Sequence, residues 1–189
     1  LLSITYNNIR NDAGVLRAKG EEIADTRIDF RTVKNLQNQY AASEETALSV
    51  FFYENSLKRA VDADAENLLK QINQYKYYDA LADGSTLTAS VKKALQSVTF
   101  NSITVPDGSA REKGEEVTDT RTDFALQMTG SEYTDSIERS HSFFFYEEGL
   151  LRAAGAGSDF RIKEIRQFRH YAAFDQVVID SNSTAALQS

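Results

Sequence analysis

The sequence predicts a mainly α-helical protein with some extended segments, made by tandem duplication of a module of roughly 93 residues with pseudo-twofold symmetry. Apolar spacing is the first reason. Across 44–82, Leu57, Val61, Leu68, Ile72 and Tyr75 fall within about 60° of one another at about 100° per residue, as on one buried helix face. Residues 136–174 are the matching run one module later, and the flanking stretches 11–17 and 33–40 read better as helix than as strand.

The duplication is the second reason. Residues 17–30 match 111–124 at 10 of 14 positions with an offset of 94, and 51–60 match 144–153 at 7 of 10 with an offset of 93. A third block places Ile72, Gln74, Tyr75 and Tyr78 against Ile165, Gln167, Phe168 and Tyr171, again 93 apart. Shared composition does not keep three blocks collinear, so the chain divides into module 1 (1–95) and module 2 (96–189).

Within that frame the elements follow in order. Leu48, Phe51 and Phe52 lie off the main apolar face, so the helix at 44–82 packs on two sides or breaks near Asn55-Ser56. Gly155-Ala156-Gly157-Ser158 interrupts the matching run. Asp83-Gly84-Ser85 is a loop, and 88–98 is a short helix leading into module 2. The charged block is different: Ala24, Thr26, Ile28 and Phe30 alternate with Asp25, Arg27 and Asp29, which suits a strand, and Thr118, Thr120, Thr122, Phe124, Leu126 and Met128 repeat that alternation.

Composition narrows the function classes. At 41% hydrophobic and 26% charged, the 189 residues are those of a globular chain. No stretch reaches the roughly 18 apolar residues that span a bilayer, so membrane insertion is not expected. There is no cysteine, hence no disulfide framework, thiolate zinc site or thiol nucleophile. The absent initiator methionine points to a processed or partial chain, so no compartment is assigned. Split after Leu95, the first half has 12 basic and 13 acidic residues (−1) and the second 9 and 15 (−6), which together give −7. A net-acidic surface disfavours nucleic acid as a partner.

Features present in one module carry less weight than shared ones. Glu138-Arg139-Ser140-His141 has the Glu-x-x-His spacing that places two metal ligands on one helix face. Its counterpart pairs Glu45 with Leu48, and the other histidine, His170, has no glutamate three residues before it. A metal-binding helical protein or enzyme centred on Glu138 and His141 is the alternative reading, and no cofactor is expected. Asp62-Ala63-Asp64-Ala65-Glu66 lacks the glycine and terminal glutamate of a calcium loop and reads as a solvated helix face. Asn182-Ser183-Thr184 is a glycosylation pattern common by chance. Arg161, Lys163, Arg166, Arg169 and His170, among Phe160, Phe168 and Tyr171, read as the flank of an amphipathic helix.

Two shared motifs remain. Phe-Phe-Tyr-Glu-x-x-Leu-x-Arg-Ala reads as packing, with Tyr53 and Tyr146 offering a hydroxyl to a polar partner. The charged block reads as a surface of arginine and carboxylate that docks a protein, or else as an internal ion-pair network. Its candidate contact residues are Glu21, Glu22, Asp25, Arg27 and Asp29, with Glu115, Glu116, Asp119, Arg121 and Asp123 in the second module. The expected function is therefore non-catalytic: a structural, scaffold-like protein whose modules make equivalent contacts with protein partners, such as repeated subunits of a large complex.

Overall fold

The computed structural model describes residues 1–77, 87–147 and 149–169. They form one sheet of eight antiparallel strands whose order in space is their order in sequence. These are β1 (Ser3–Asn8), β2 (Ile23–Lys34), β3 (Tyr40–Tyr53), β4 (Leu69–Lys76), β5 (Leu95–Ser102), β6 (Val117–Thr129), β7 (Glu132–Tyr146) and β8 (Ile162–Arg169). The fold is all-β, which corrects the mainly α-helical expectation. Among the described residues the helical element is a 3-10 turn at Ala153–Gly155.

Each predicted helix is replaced by something extended or irregular. The one at 44–82 divides between β3, a loop at 54–68 and β4, and the one at 136–174 between β7, a loop at 147–161 and β8. Residues 78–82 and 170–174, with Asp83-Gly84-Ser85 and His170, lie outside the described residues. The helix expected at 88–98 is a strap over the sheet followed by the start of β5. Residues 11–17 are a turn closed by an Arg10–Leu16 bridge, and 33–40 are the tip of the β2–β3 hairpin.

Burial of polar side chains explains the misreading. In β4, Gln71, Asn73 and Tyr75 share the covered face and are all buried, so an apolar-polar alternation is absent where the strand is most enclosed. Asn73 Nδ2 donates to the Ala89 carbonyl at 3.1 Å and to the Tyr75 hydroxyl at 3.0 Å. Gln71 Nε2 donates to Asn73 Oδ1 at 2.6 Å, and the Tyr75 hydroxyl donates to the Val91 carbonyl at 3.2 Å. These bonds hold the strap at 87–94 across the sheet and make the burial of amides tolerable. Around them Ile28, Leu48, Tyr75 and Leu95 stand opposite one another on successive strands and form the centre of the largest core, with Val50, Phe52, Leu87 and Val98. The apparent helical spacing joins Leu57 and Val61, which lie in a loop, to residues of β4. Long-range strand pairing outweighs the local helix preference of Ala, Glu, Leu and Lys.

The unit β1–β4 recurs as β5–β8. Each has a small core where the third strand meets the following loop: Ile23, Tyr53, Ala60 and Ala63 in one, Val117, Tyr146, Ala153 and Ala156 in the other. Each third strand ends in the same turn, with Tyr53 and Lys58 exchanging backbone hydrogen bonds as Tyr146 and Leu151 do. Two non-glycine residues per turn, Glu54 and Leu57 or Glu147 and Leu150, take positive φ. Such residues are held there only by surrounding contacts. Glu54 provides one, accepting the Leu68 N–H at 2.7 Å, and Glu147 accepts the Arg161 N–H at 2.8 Å.

An arginine completes each loop. Arg17 Nη2 donates to the carbonyls of Ala60 (2.9 Å) and Ala63 (2.6 Å), and Arg111 Nη2 to those of Ala153 (2.8 Å) and Ala156 (2.6 Å). The modules then join edge to edge, because β4 pairs with β5 from Gln71–Phe100 to Tyr75–Leu95. Side chains reinforce that seam: Lys70 Nζ donates to the Asn101 carbonyl (2.9 Å), Asn101 Nδ2 to the Leu69 carbonyl (3.1 Å), and the Leu69 N–H to Glu116 Oε1 (2.9 Å).

Arg111→Ala is expected to lower stability in urea denaturation by about 1–3 kcal/mol, because two buried carbonyls lose a charged donor. A shift below about 0.5 kcal/mol would show that the loop holds its shape without the arginine.

Candidate protein-docking site

The charged block occupies the turn before β2 and the first half of that strand, and again before and within β6. The fold separates its ten candidate residues into three groups with different surroundings. Glutamates come first. Glu21 accepts the Ala18 N–H at 3.1 Å and Glu22 the Gly20 N–H at 2.9 Å, so both brace the turn whose Gly20 has φ 94°. Glu115 sits in the equivalent turn, half-buried, while Glu116 reaches across the seam to Leu69. Glu22 and Glu116, with Tyr53 and Lys113, line one cleft of about 340 Å³ that crosses both modules.

The first aspartates face the loops. Asp25 receives two bonds from Arg59, Nε to Oδ1 at 3.0 Å and Nη2 to Oδ2 at 2.8 Å, and Asp119 binds Arg152 through Nε (3.1 Å) and Nη2 (2.8 Å). Arg59 also donates to the Leu87 carbonyl and lies over Phe52, whereas Arg152 lies over Phe143 at 4.9 Å from the ring centroid. Desolvation and stacking make these pairs stronger than surface ones. They are clamps between the start of β2 or β6 and the loop that follows β3 or β7. The tyrosine hydroxyls act beside them: Tyr53 donates to the Ala24 carbonyl at 2.6 Å and Tyr146 to that of Thr118.

The third group faces solvent. Arg27 Nε donates to Asp29 Oδ1 at 2.8 Å, and Arg121 Nε to Asp123 Oδ1 at 2.8 Å. The arginine side chains are 48% and 44% exposed, so neither pair is needed to neutralise a buried charge. One rung of the sheet runs Arg27–Ser49–Gln74–Ser97–Asp123 through directly opposed residues, which puts both pairs on the same face. Four strand spacings separate equivalent positions, about 19 Å. Around the second pair, Gln167 Nε2 lies 3.4 Å from Asp123 Oδ2 and 3.1 Å from Ser140 Oγ, beside a cleft of about 460 Å³. Ala47 replaces Ser140 in the first module, so that network is not repeated.

Glu138 and His141 lie on strand β7 instead of a helix. A bulge leaves Asp123 opposite Ser140 and Phe124 opposite Glu138, so the two side chains share a face despite their odd separation. His141 Nε2 is 3.6 Å from Glu138 Oε2, its Nδ1 is 3.0 Å from Thr122 Oγ1, and Lys92 Nζ is 3.3 Å from Glu138 Oε1. Among the described residues no third acidic, imidazole or thiol group joins them in a metal-sized cluster. The acidic run 62–66 lies in a loop with Ala63 buried, and Arg166 on β8 rests over Phe145 of β7, so neither occupies the helix face that periodicity suggested.

Compared with known proteins, the chain matches no family model, no curated protein and no solved structure. Among the described residues no helix is long and apolar enough to cross a membrane.

The tyrosines make the clamp sensitive to alkali. Burial and the nearby Asp119 push the Tyr146 phenol up from 10.0 to about 12, and burial raises that of Tyr53 as well. A phenol that ionises later in the folded chain contributes stability that is complete below pH 10 and lost as pH rises from 10 to about 12. Tyr146→Phe is therefore expected to flatten the fall in stability above pH 10; a curve parallel to the parent's would contradict this assignment. Asp119→Asn is expected to cost about 1–2 kcal/mol and Arg121→Ala under about 0.5, so equal costs in urea titrations would erase the distinction between clamp and surface pair.

Proposed function

We propose that this is a non-catalytic structural or assembly protein whose two modules make equivalent protein–protein contacts within a larger complex. The observation that carries the reading is the repetition of a solvent-facing arginine–carboxylate pair, Arg27–Asp29 and Arg121–Asp123, on one face of one rigid sheet. The loop clamps account for Asp25 and Asp119 without reference to a partner, whereas the exposed pairs contribute little to the fold. An arginine fork beside a carboxylate recognises complementary charge with defined geometry. Two such groups about 19 Å apart suit a partner that presents its own binding feature at a matching repeat.

Arg27→Ala/Arg121→Ala is expected to fold with unchanged stability and to leave the complex in which the parent chain elutes from its native source. Either single variant keeps one contact and loses avidity, on the order of 100-fold or more. Retention of the double variant in the same complex at the same ionic strength would remove this surface from the reading.

A further inference from the structure

Where the two modules join, an amine, a carboxamide and a carboxylate converge on one short stretch of backbone. The β4–β5 register, continued one step past Gln71–Phe100, sets Lys70 opposite Asn101, so both side chains leave the sheet on the same side. Lys70 Nζ lies 2.9 Å from the main-chain carbonyl oxygen of Asn101. Asn101 is 7% exposed; its Nδ2 donates to the Leu69 carbonyl at 3.1 Å, and its Oδ1 accepts from Thr118 Oγ1 at 3.3 Å. Glu116 Oε1 accepts the Leu69 N–H at 2.9 Å. We propose that Lys70 and Asn101 are the two ends of an isopeptide bond, formed within the folded chain with Glu116 as proton acceptor, that ties module 1 covalently to module 2.

Each group has a part that its chemistry supplies. The Lys70 ammonium gives one proton to the Glu116 carboxylate and becomes a nucleophilic amine. Its Nζ attacks Asn101 Cγ, and as that C–N bond forms the carbonyl π electrons move onto Oδ1. Thr118 Oγ1 donates to this oxygen and stabilises the charge that develops there. When the carbonyl re-forms, the Cγ–Nδ2 bond breaks. The leaving nitrogen takes one proton from Nζ and the one held by Glu116, and departs as ammonium. One amide replaces another, and no oxidant or cofactor is consumed. Proximity favours the step, because the reacting carbon belongs to the residue whose own carbonyl already holds the amine, and burial shields it from water. The cleft of about 340 Å³ lined by Leu69 and Glu116 gives the ammonium a way out. The corresponding Lys163 and Asn7 lie on β8 and β1, which among the described residues are not neighbours in the sheet, so one ammonia is lost per chain and not two.

Mass spectrometry of the folded chain is the test. The expected intact mass is lower than that of the sequence by one ammonia, about 17 Da, and trypsin is expected to release 60–76, uncut at Lys70, joined to 94–111. Lys70→Arg and Glu116→Gln are each expected to restore the full mass. The glutamine keeps an acceptor oxygen for the Leu69 N–H, so it removes the proton acceptor and leaves the seam folded. Asn101→Asp is expected to lose water in place of ammonia. A parent chain of full mass overturns the proposal, whatever the variants do. So does loss of ammonia without the branched peptide, which is succinimide formation at an asparagine, and so does a branched peptide as abundant in Glu116→Gln as in the parent. The proposal is independent of the docking face: Arg27→Ala/Arg121→Ala leaves the mass loss unchanged, so the two ideas fail separately.

Discussion

One guanidinium facing two carbonyl oxygens determines the shape of each module. The loops at 54–68 and 147–161 have little regular structure, and their backbone groups need partners that a sheet cannot supply. Arg17 and Arg111 supply them from more than forty residues away, by reaching the carbonyls of two buried alanines in each loop. Only a small side chain at Ala60 and Ala153, both 0% exposed, lets the loop approach that closely. With the loop in place, the third strand's tyrosine, the Asp–Arg clamp and the glutamate that restrains the positive-φ turn all fall within reach of their partners.

This arrangement explains why charge is conserved between the modules more strongly than apolar character. An apolar core accepts Ile23 or Val117, and Tyr75 or Phe168, because shape and volume are the requirement. A clamp made by two donors of one guanidinium is more exacting, since Nε and Nη2 must both reach the same carboxylate, through two oxygens at Asp25 and one at Asp119. Most of the charged block is thus architecture. What architecture does not consume is the pair at Arg27–Asp29 and its copy at Arg121–Asp123, and the functional proposal rests on that remainder.

The sheet also places the modules in a relation that a pair of separate domains would not have. Because β4 and β5 share hydrogen bonds, the two exposed arginine–carboxylate pairs are held at a set spacing and on one face.

The duplication was legible in residues 17–30 and 51–60 because those segments contain the clamps, whose side chains are individually required. A further repeat was missed: Ser3, Thr5, Asn7 and Ile9 match Ser97, Thr99, Asn101 and Ile103 at every second position. Identity with a period of two is itself a strand signature, available to inspection. The alternation in the charged block was legible for the same reason and corresponds to β2 and β6. β4 and β7 were not, because buried Gln71, Asn73, Ser136, Ser140 and Ser142 replace the apolar half of the pattern.

By itself, then, the sequence determined the repeat, its length and the residues each copy cannot exchange, since those depend on side-chain chemistry recorded position by position. Tertiary structure alone decided the fold class, the division of the charged block into clamp and surface, and the bulge that brings Glu138 beside His141. Each of those depends on which strand lies alongside another, and hydrogen bonds between distant segments leave no local period in the chain.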